Sequence, residues 1–222
     1  MKHRIFRKKV LLDYLIVFSF PLFAALISIY FNTSQVISLI LFFILPATYL
    51  TIRNPAFFKK GFIMVFASIP FTIMVDHFAI KDGSWWVYTI FPLRLLNGIP
   101  VEDFIWSASW FYYIVAFYEF FIDQPRGGRD TPPNKRYKWL LSSWFGAGFL
   151  FLILYNFIDK YIFIPYFYAV FAIVLGVVPL LILLIKHHHL LPKFLQVMCY
   201  FIFVNFLHEI AALSTNQWIF PG

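Results

Sequence analysis

Charge is what this chain has least of. Only 13% of its 222 residues are Asp, Glu, Lys or Arg, and ten of them are acidic. A water-soluble domain of this size carries about twice that charged fraction, so a soluble enzyme or scaffold is excluded. A single cysteine, Cys199, excludes an internal disulfide and any cysteine cluster for zinc or iron–sulfur. There is no glycine-rich dinucleotide fingerprint and no Walker motif, so tightly bound flavin, nicotinamide or nucleotide is not expected. No Asp-rich repeat is present to hold a magnesium-diphosphate. Lysine is missing from the last apolar run, 194–213, which leaves a retinal Schiff base nowhere to form. Neither a cofactor nor a metal is therefore expected.

What fills the space is apolar: 62% of the chain is hydrophobic, 23% aromatic, and Phe alone accounts for 31 residues. The pattern predicts an all-α, polytopic membrane helical bundle. Seven spans are expected, at about 11–31, 36–52, 61–80, 100–122, 139–157, 161–185 and 194–213. The basic start followed by a long apolar run is read as an uncleaved first helix rather than a signal peptide. Pro100 is expected in the first turn of the fourth span, where its missing N–H costs nothing. The segment 81–97, with Trp85, Trp86 and Tyr88, suits a membrane interface or a lid. Residues 124–138 read as a basic linker.

The net charge of +8 does not point to nucleic acid, because the basic residues sit in short segments between apolar runs. With the N-terminus inside, the inner segments hold fifteen Lys/Arg and the outer ones three, Lys81, Arg94 and Lys160. That split follows the positive-inside rule. The expectation is a multi-pass protein of a bacterial inner membrane with a cytoplasmic N-terminus, in contact with membrane lipid. Assembly with itself or with another chain is left open.

An internal repeat is expected at an offset of 133, with Trp85 mapping onto Trp218 and Asp76 onto Glu209. The unit is four spans, so both copies point the same way. Residues 1–123 form the first copy and 139–222 a second, abbreviated one of three spans, which ends before any counterpart of 98–103.

Most acids have an ordinary place. Asp82, Asp130 and Asp159 fall in loops. Asp13, Glu119 and Asp123 fall near inner helix ends, within reach of Arg and Lys. Asp76, Glu102, Asp103 and Glu209 instead gather at the outer ends of spans. Charge is costly there unless it is paired, hydrated or neutralised. Helical spacing puts Ser68, Thr72 and Asp76 on one face, and Glu102, Trp106, Trp110 and Tyr113 on another. Asn205, His208 and Glu209 form a polar patch on the last span. A polar pocket walled by indoles follows. The tract His187-His188-His189 is read as a solvated loop rather than a metal site, since consecutive residues point apart.

The pattern Asp76…Gly83-Ser84-Trp85-Trp86…Gly98-Ile99-Pro100-Val101-Glu102-Asp103-Phe104-Ile105-Trp106…Tyr118-Glu119 resembles the membrane-embedded, flavin-free lycopene cyclase domain. This is the type found as two small bacterial subunits or fused to phytoene synthase in fungi. The family's hallmark resembles Pro-x-Glu-Glu followed by aromatics; here it reads Pro100-Val101-Glu102-Asp103. The resemblance implies carotenoid biosynthesis: acid/base cyclisation, without net redox change, of a linear lycopene end group to a β-ring. It implies a lipid-soluble carotenoid substrate that enters from the bilayer. Glu102 would be the general acid, with Asp103 or Asp76 as the partner that keeps the proton on it or takes the final one, and Glu209 as a further catalytic carboxylate. Trp85, Trp86, Trp106, Trp110, Tyr113 and Trp218 would line the cation site. The alternatives are hydration of the same cation to a tertiary alcohol, or a non-catalytic membrane subunit or carrier.

Overall fold

The computed structural model describes residues 2–95, 98–123 and 166–220, with 142, 143, 146, 147, 150 and 154 between them. The expected linker 124–138 and nearly all of the expected span 139–157 lie outside the described residues.

The architecture is all-α. Helix α1 runs Lys2–Phe31 and α2 Gln35–Arg53, the latter containing a π-helical turn at Ile40–Ile44. Helix α3, Pro55–Lys81, opens on a 3₁₀ turn. Helix α4, Val101–Ile122, ends on a π turn. Helix α5 comprises Phe167–Ala172, a π turn at Ile173–Val177, and Val178–Lys186; α6 is His188–Ser214. Among the described residues, α1 from Leu11, α2, α3, α4 and α6 are long and apolar enough to cross a membrane, with mean hydropathies of 1.2 to 2.1. The chain is a multi-pass integral membrane protein.

The two ends of the bundle are chemically distinct. At one end, three helices stop on the same device. Asn32, Gly83 and Asn216 adopt positive φ (47°, 67° and 54°), and the next residue's N–H reaches back to close a Schellman cap: Thr33 to Ser28, Ser84 to Ala79, Gln217 to Ala212. Glycine and asparagine are the residues that enter this conformation at least cost. At the other end, ion pairs tie neighbouring helices. Arg53 of α2 makes two 2.9 Å bonds to Asp13 of α1. Lys60 of α3 meets Glu119 of α4 at 2.9 Å, and Lys193 of α6 meets Asp123, just past α4, at 2.5 Å. The two ends are called the acid end and the basic end below.

Prolines shape the middle. Pro46 and Pro179 each follow a π turn. A proline ring collides with the carbonyl four residues back, and a widened turn gives that carbonyl room. Pro100 departs from expectation: it precedes α4 in extended conformation (ψ 147°) and pairs with Arg94 in a two-residue ladder. That pairing takes it, so the helix starts at Val101.

Helix α4 packs closely on α3. The Tyr112 ring lies where a Cβ on Gly61 would be, 2.6 Å away, and Thr72 donates to Ser107 across the same seam. Behind α4 the core is aromatic. Phe117 stacks on Tyr200 at 4.2 Å, and Tyr200 Oη bridges Tyr113 Oη and the Val17 carbonyl.

Element bounds recur 133 positions apart: the π turns at Ile40–Ile44 and Ile173–Val177, the 3₁₀ turns at Pro55–Phe57 and His188–Leu190, the helices at Phe58–Lys81 and Leu191–Ser214. The two segments after those helices meet. Strand β1, Trp86–Val87, pairs antiparallel with β4, Trp218–Ile219, Trp86 opposite Ile219. Arg94–Leu95 (β2) and Ile99–Pro100 (β3) form the other pair.

Candidate active site

A cavity of about 190 Å³ lies at the acid end, under the paired β1 and β4. Six parts of the chain wall it. Helix α2 supplies Gln35, α3 Asp76, α4 Asp103 and Trp106, and α6 Glu209; the β1 and β4 segments supply Trp85, Val87, Trp218 and Phe220. Three carboxylates and three indoles thus face one small space, and no Lys or Arg is among the described residues that line it.

Each side chain is set there by its element. Asp76 lies within two turns of the α3 cap and is 9% exposed. Asp103 is in the first turn of α4, where the helix dipole favours a carboxylate, and is 7% exposed. The amide of Gln35 points a long 3.5 Å contact at Asp103 Oδ1, while Asp103 Oδ2 and Asp76 Oδ2 have no hydrogen-bond partner among the described residues. Glu209 accepts from Trp218 Nε1 at 3.2 Å, which fixes that indole as a wall. Trp106 stacks on Trp110 with centroids 5.9 Å apart, and Trp85 meets the Tyr168 ring edge-on.

The structure therefore brings together Asp76, Asp103, Glu209, Trp85, Trp106 and Trp218. Glu102, Trp86, Trp110 and Tyr113 are placed elsewhere. Glu102 is fully buried but turned into the loop above: its Oε1 accepts the backbone N–H groups of Ile90 (2.8 Å) and Phe91 (2.9 Å). Although one turn from Trp106, it is not among the residues that line the cavity, because those two donors hold its carboxylate in the loop. Trp86 is 45% exposed under the Arg94 guanidinium. Arg94 in turn binds the Gly98 and Val87 carbonyls, so it fastens the loop. Trp110 packs on Phe43 and Phe201 in the core. Tyr113 is fully buried beside Tyr200, away from the cavity.

Sequence reasoning missed Gln35, Val87 and Phe220. Gln35 opens an apolar run with a polar side chain, which was the available signal; Val87 and Phe220 offered none. His208 belongs to the polar patch with Asn205 and Glu209. It is buried between the Phe42 and Phe43 rings, at 5.0 and 4.8 Å, and lies 5.1 Å from Trp218. Gln217 holds the roof down, donating to the Thr33 carbonyl at 3.1 Å and to Ser38 Oγ at 2.7 Å. The exposed His187, His188 and His189 form no metal site: among the described residues no group of three His, Cys, Asp or Glu could hold a metal ion.

Comparison of the chain with protein-family models, curated proteins and solved structures gave no match.

Proposed function

We propose that this protein is a carotenoid end-group cyclase of the membrane-embedded, flavin-free type, and that the acid-end cavity is its active centre. One observation carries the reading: three carboxylates and three indoles share a largely apolar cavity inside a membrane protein, with no Lys or Arg among the described residues that line it. Such side chains are expensive in that setting and are kept there for function.

The reaction uses them directly. A carboxyl of the Asp76–Asp103 pair gives its proton to the terminal double bond of lycopene's linear end group, leaving a tertiary carbocation. The neighbouring internal double bond attacks that carbon and closes a six-membered ring, moving the positive charge to a ring carbon. Loss of a ring proton to the other carboxylate forms the β-ring double bond. Donor and acceptor exchange one proton, so no oxidant or reductant is needed. Trp85, Trp106 and Trp218 present ring faces to the cation, each worth up to roughly 2 kcal/mol when water is excluded. Exclusion matters, since water would trap the cation as an alcohol. The cavity is smaller than the roughly 300–1,000 Å³ of whole-ligand sites, which suits one end group with the polyene left in the bilayer.

Glu102 takes a supporting part in this scheme. By accepting from Ile90 and Phe91 it clamps the segment that carries Trp85 and Val87 over the cavity. The matching bounds 133 positions apart support a tandem parallel repeat, four spans followed by three, with Asp76 and Glu209 as equivalent acids. The charge distribution supports seven spans with the N-terminus in the cytoplasm.

The test is expression of the chain in a bacterial host that accumulates lycopene, with pigment analysis by chromatography. Monocyclic or bicyclic product is expected. A hydroxylated product would reassign the same cavity to hydration. Unchanged lycopene, with the protein folded in the membrane, would remove the enzymatic reading.

A further inference from the structure

A second cavity, of about 1010 Å³, opens at the basic end between α3, α4, α5 and α6. It shares no lining residue with the acid-end cavity. Its walls are apolar side chains such as Leu184, Val197 and Phe201; its mouth holds Lys59, Lys60 and Lys193 against the single carboxylate of Glu119. From Lys193 to Phe201 the wall follows α6 for about 12 Å at 1.5 Å per residue. Lys60 and Lys193 already hold carboxylates. Lys59 is exposed and makes no ion pair among the described residues.

Water is a poor tenant for so large an apolar space in a membrane. The occupant has to be a long apolar chain with an anionic head at the lysine mouth. In a bilayer that description fits an anionic phospholipid, since basic pockets between transmembrane helices at the positively charged end attract such headgroups.

We propose that this cavity is a lipid site in which an acyl chain of an anionic phospholipid enters between α5 and α6 while its phosphate rests on Lys59, with Lys60 and Lys193 beside it. The site does not depend on the proposed cyclase activity, and its test reads binding alone.

The full-length protein is purified in detergent and exposed to equal mixtures of phosphatidylglycerol and phosphatidylcholine with identical chains. Retained lipid is then counted by native mass spectrometry, and thermal unfolding is followed in parallel. The expected result is preferential retention of phosphatidylglycerol together with a raised unfolding temperature. Lys59→Glu lowers that retention at least about fivefold, the loss of one favourable lysine contact. The paired substitutions Leu184→Trp and Val197→Trp, which fill the cavity and leave the mouth intact, lower retention of both lipids. Inorganic phosphate and hexadecanol are run separately and are expected to protect weakly, because each supplies half of the ligand. Equal retention of the two lipids by the unaltered protein overturns the headgroup assignment. Retention unchanged in both variants places the lipid outside the cavity and overturns the site.

Discussion

In the proposed cyclase, Asp76 and Asp103 transfer the proton. Each is buried in a helix that crosses a membrane, and each has a carboxylate oxygen without a partner among the described residues. Replacing either by Asn keeps size and polarity but removes the transferable proton. Conversion of lycopene by Asp76→Asn or Asp103→Asn is therefore expected to fall at least about a hundredfold, the usual weight of a general acid or base, with membrane insertion unchanged on an immunoblot. Glu102 separates two roles. As a clamp it needs only an acceptor oxygen, which Gln also has, so Glu102→Gln is expected to retain most conversion. Glu102→Ala leaves the Ile90 and Phe91 N–H groups without that acceptor and is expected to cost about 1–3 kcal/mol, read as a lower Tm. Conversion abolished by Glu102→Gln at unchanged Tm would return the donor role to Glu102.

At the scale of elements, the α3–α4 seam positions the acid pair. It depends on Gly61, which lets the Tyr112 ring lie against the α3 backbone, and on the Thr72–Ser107 contact nearer the acids. A Cβ at 61 must push the ring away. Gly61→Val is expected to cost about 1–3 kcal/mol and to lower conversion as well, because the shift propagates along two rigid helices to Asp76 and Asp103. A normal Tm and normal activity in that variant would show the seam to be plastic. The helices themselves were legible in the sequence, since a 20-residue apolar run admits little else in a bilayer. Their ends were less so. Pro100 reads as a first-turn residue, and only its pairing with Arg94 puts it ahead of the helix.

At the scale of the molecule, one end is acidic and hydrogen-bonded, the other basic and ion-paired. That polarity carries the expected orientation. In a Cys199→Ser background, single cysteines introduced at Lys59 or His188 should react with a membrane-impermeant maleimide only after the cytoplasmic face is opened. A cysteine at Asn216 should react from outside in intact cells. The reverse pattern would invert the topology. Cys199 is an exposed free thiol, so its removal should leave stability within about 0.5 kcal/mol.

Composition and hydrophobic run length determined by themselves that this is a multi-pass helical membrane protein, because a bilayer leaves few other solutions for such a chain. Spacing along single helices likewise brought Asp76, Asp103 and Glu209 to one end, since helix ends alternate between the two membrane faces. Which side chains share a cavity was decided by tertiary structure. Glu102 and Asp103 are neighbours in sequence, yet one is taken by the N–H groups of Ile90 and Phe91 and the other faces Asp76. Trp218 joins Trp85 over the cavity because β1 and β4 pair across more than half the chain. Periodicity describes one helix at a time. A cavity is made by several at once, and partners that distant in sequence select the face each side chain turns to.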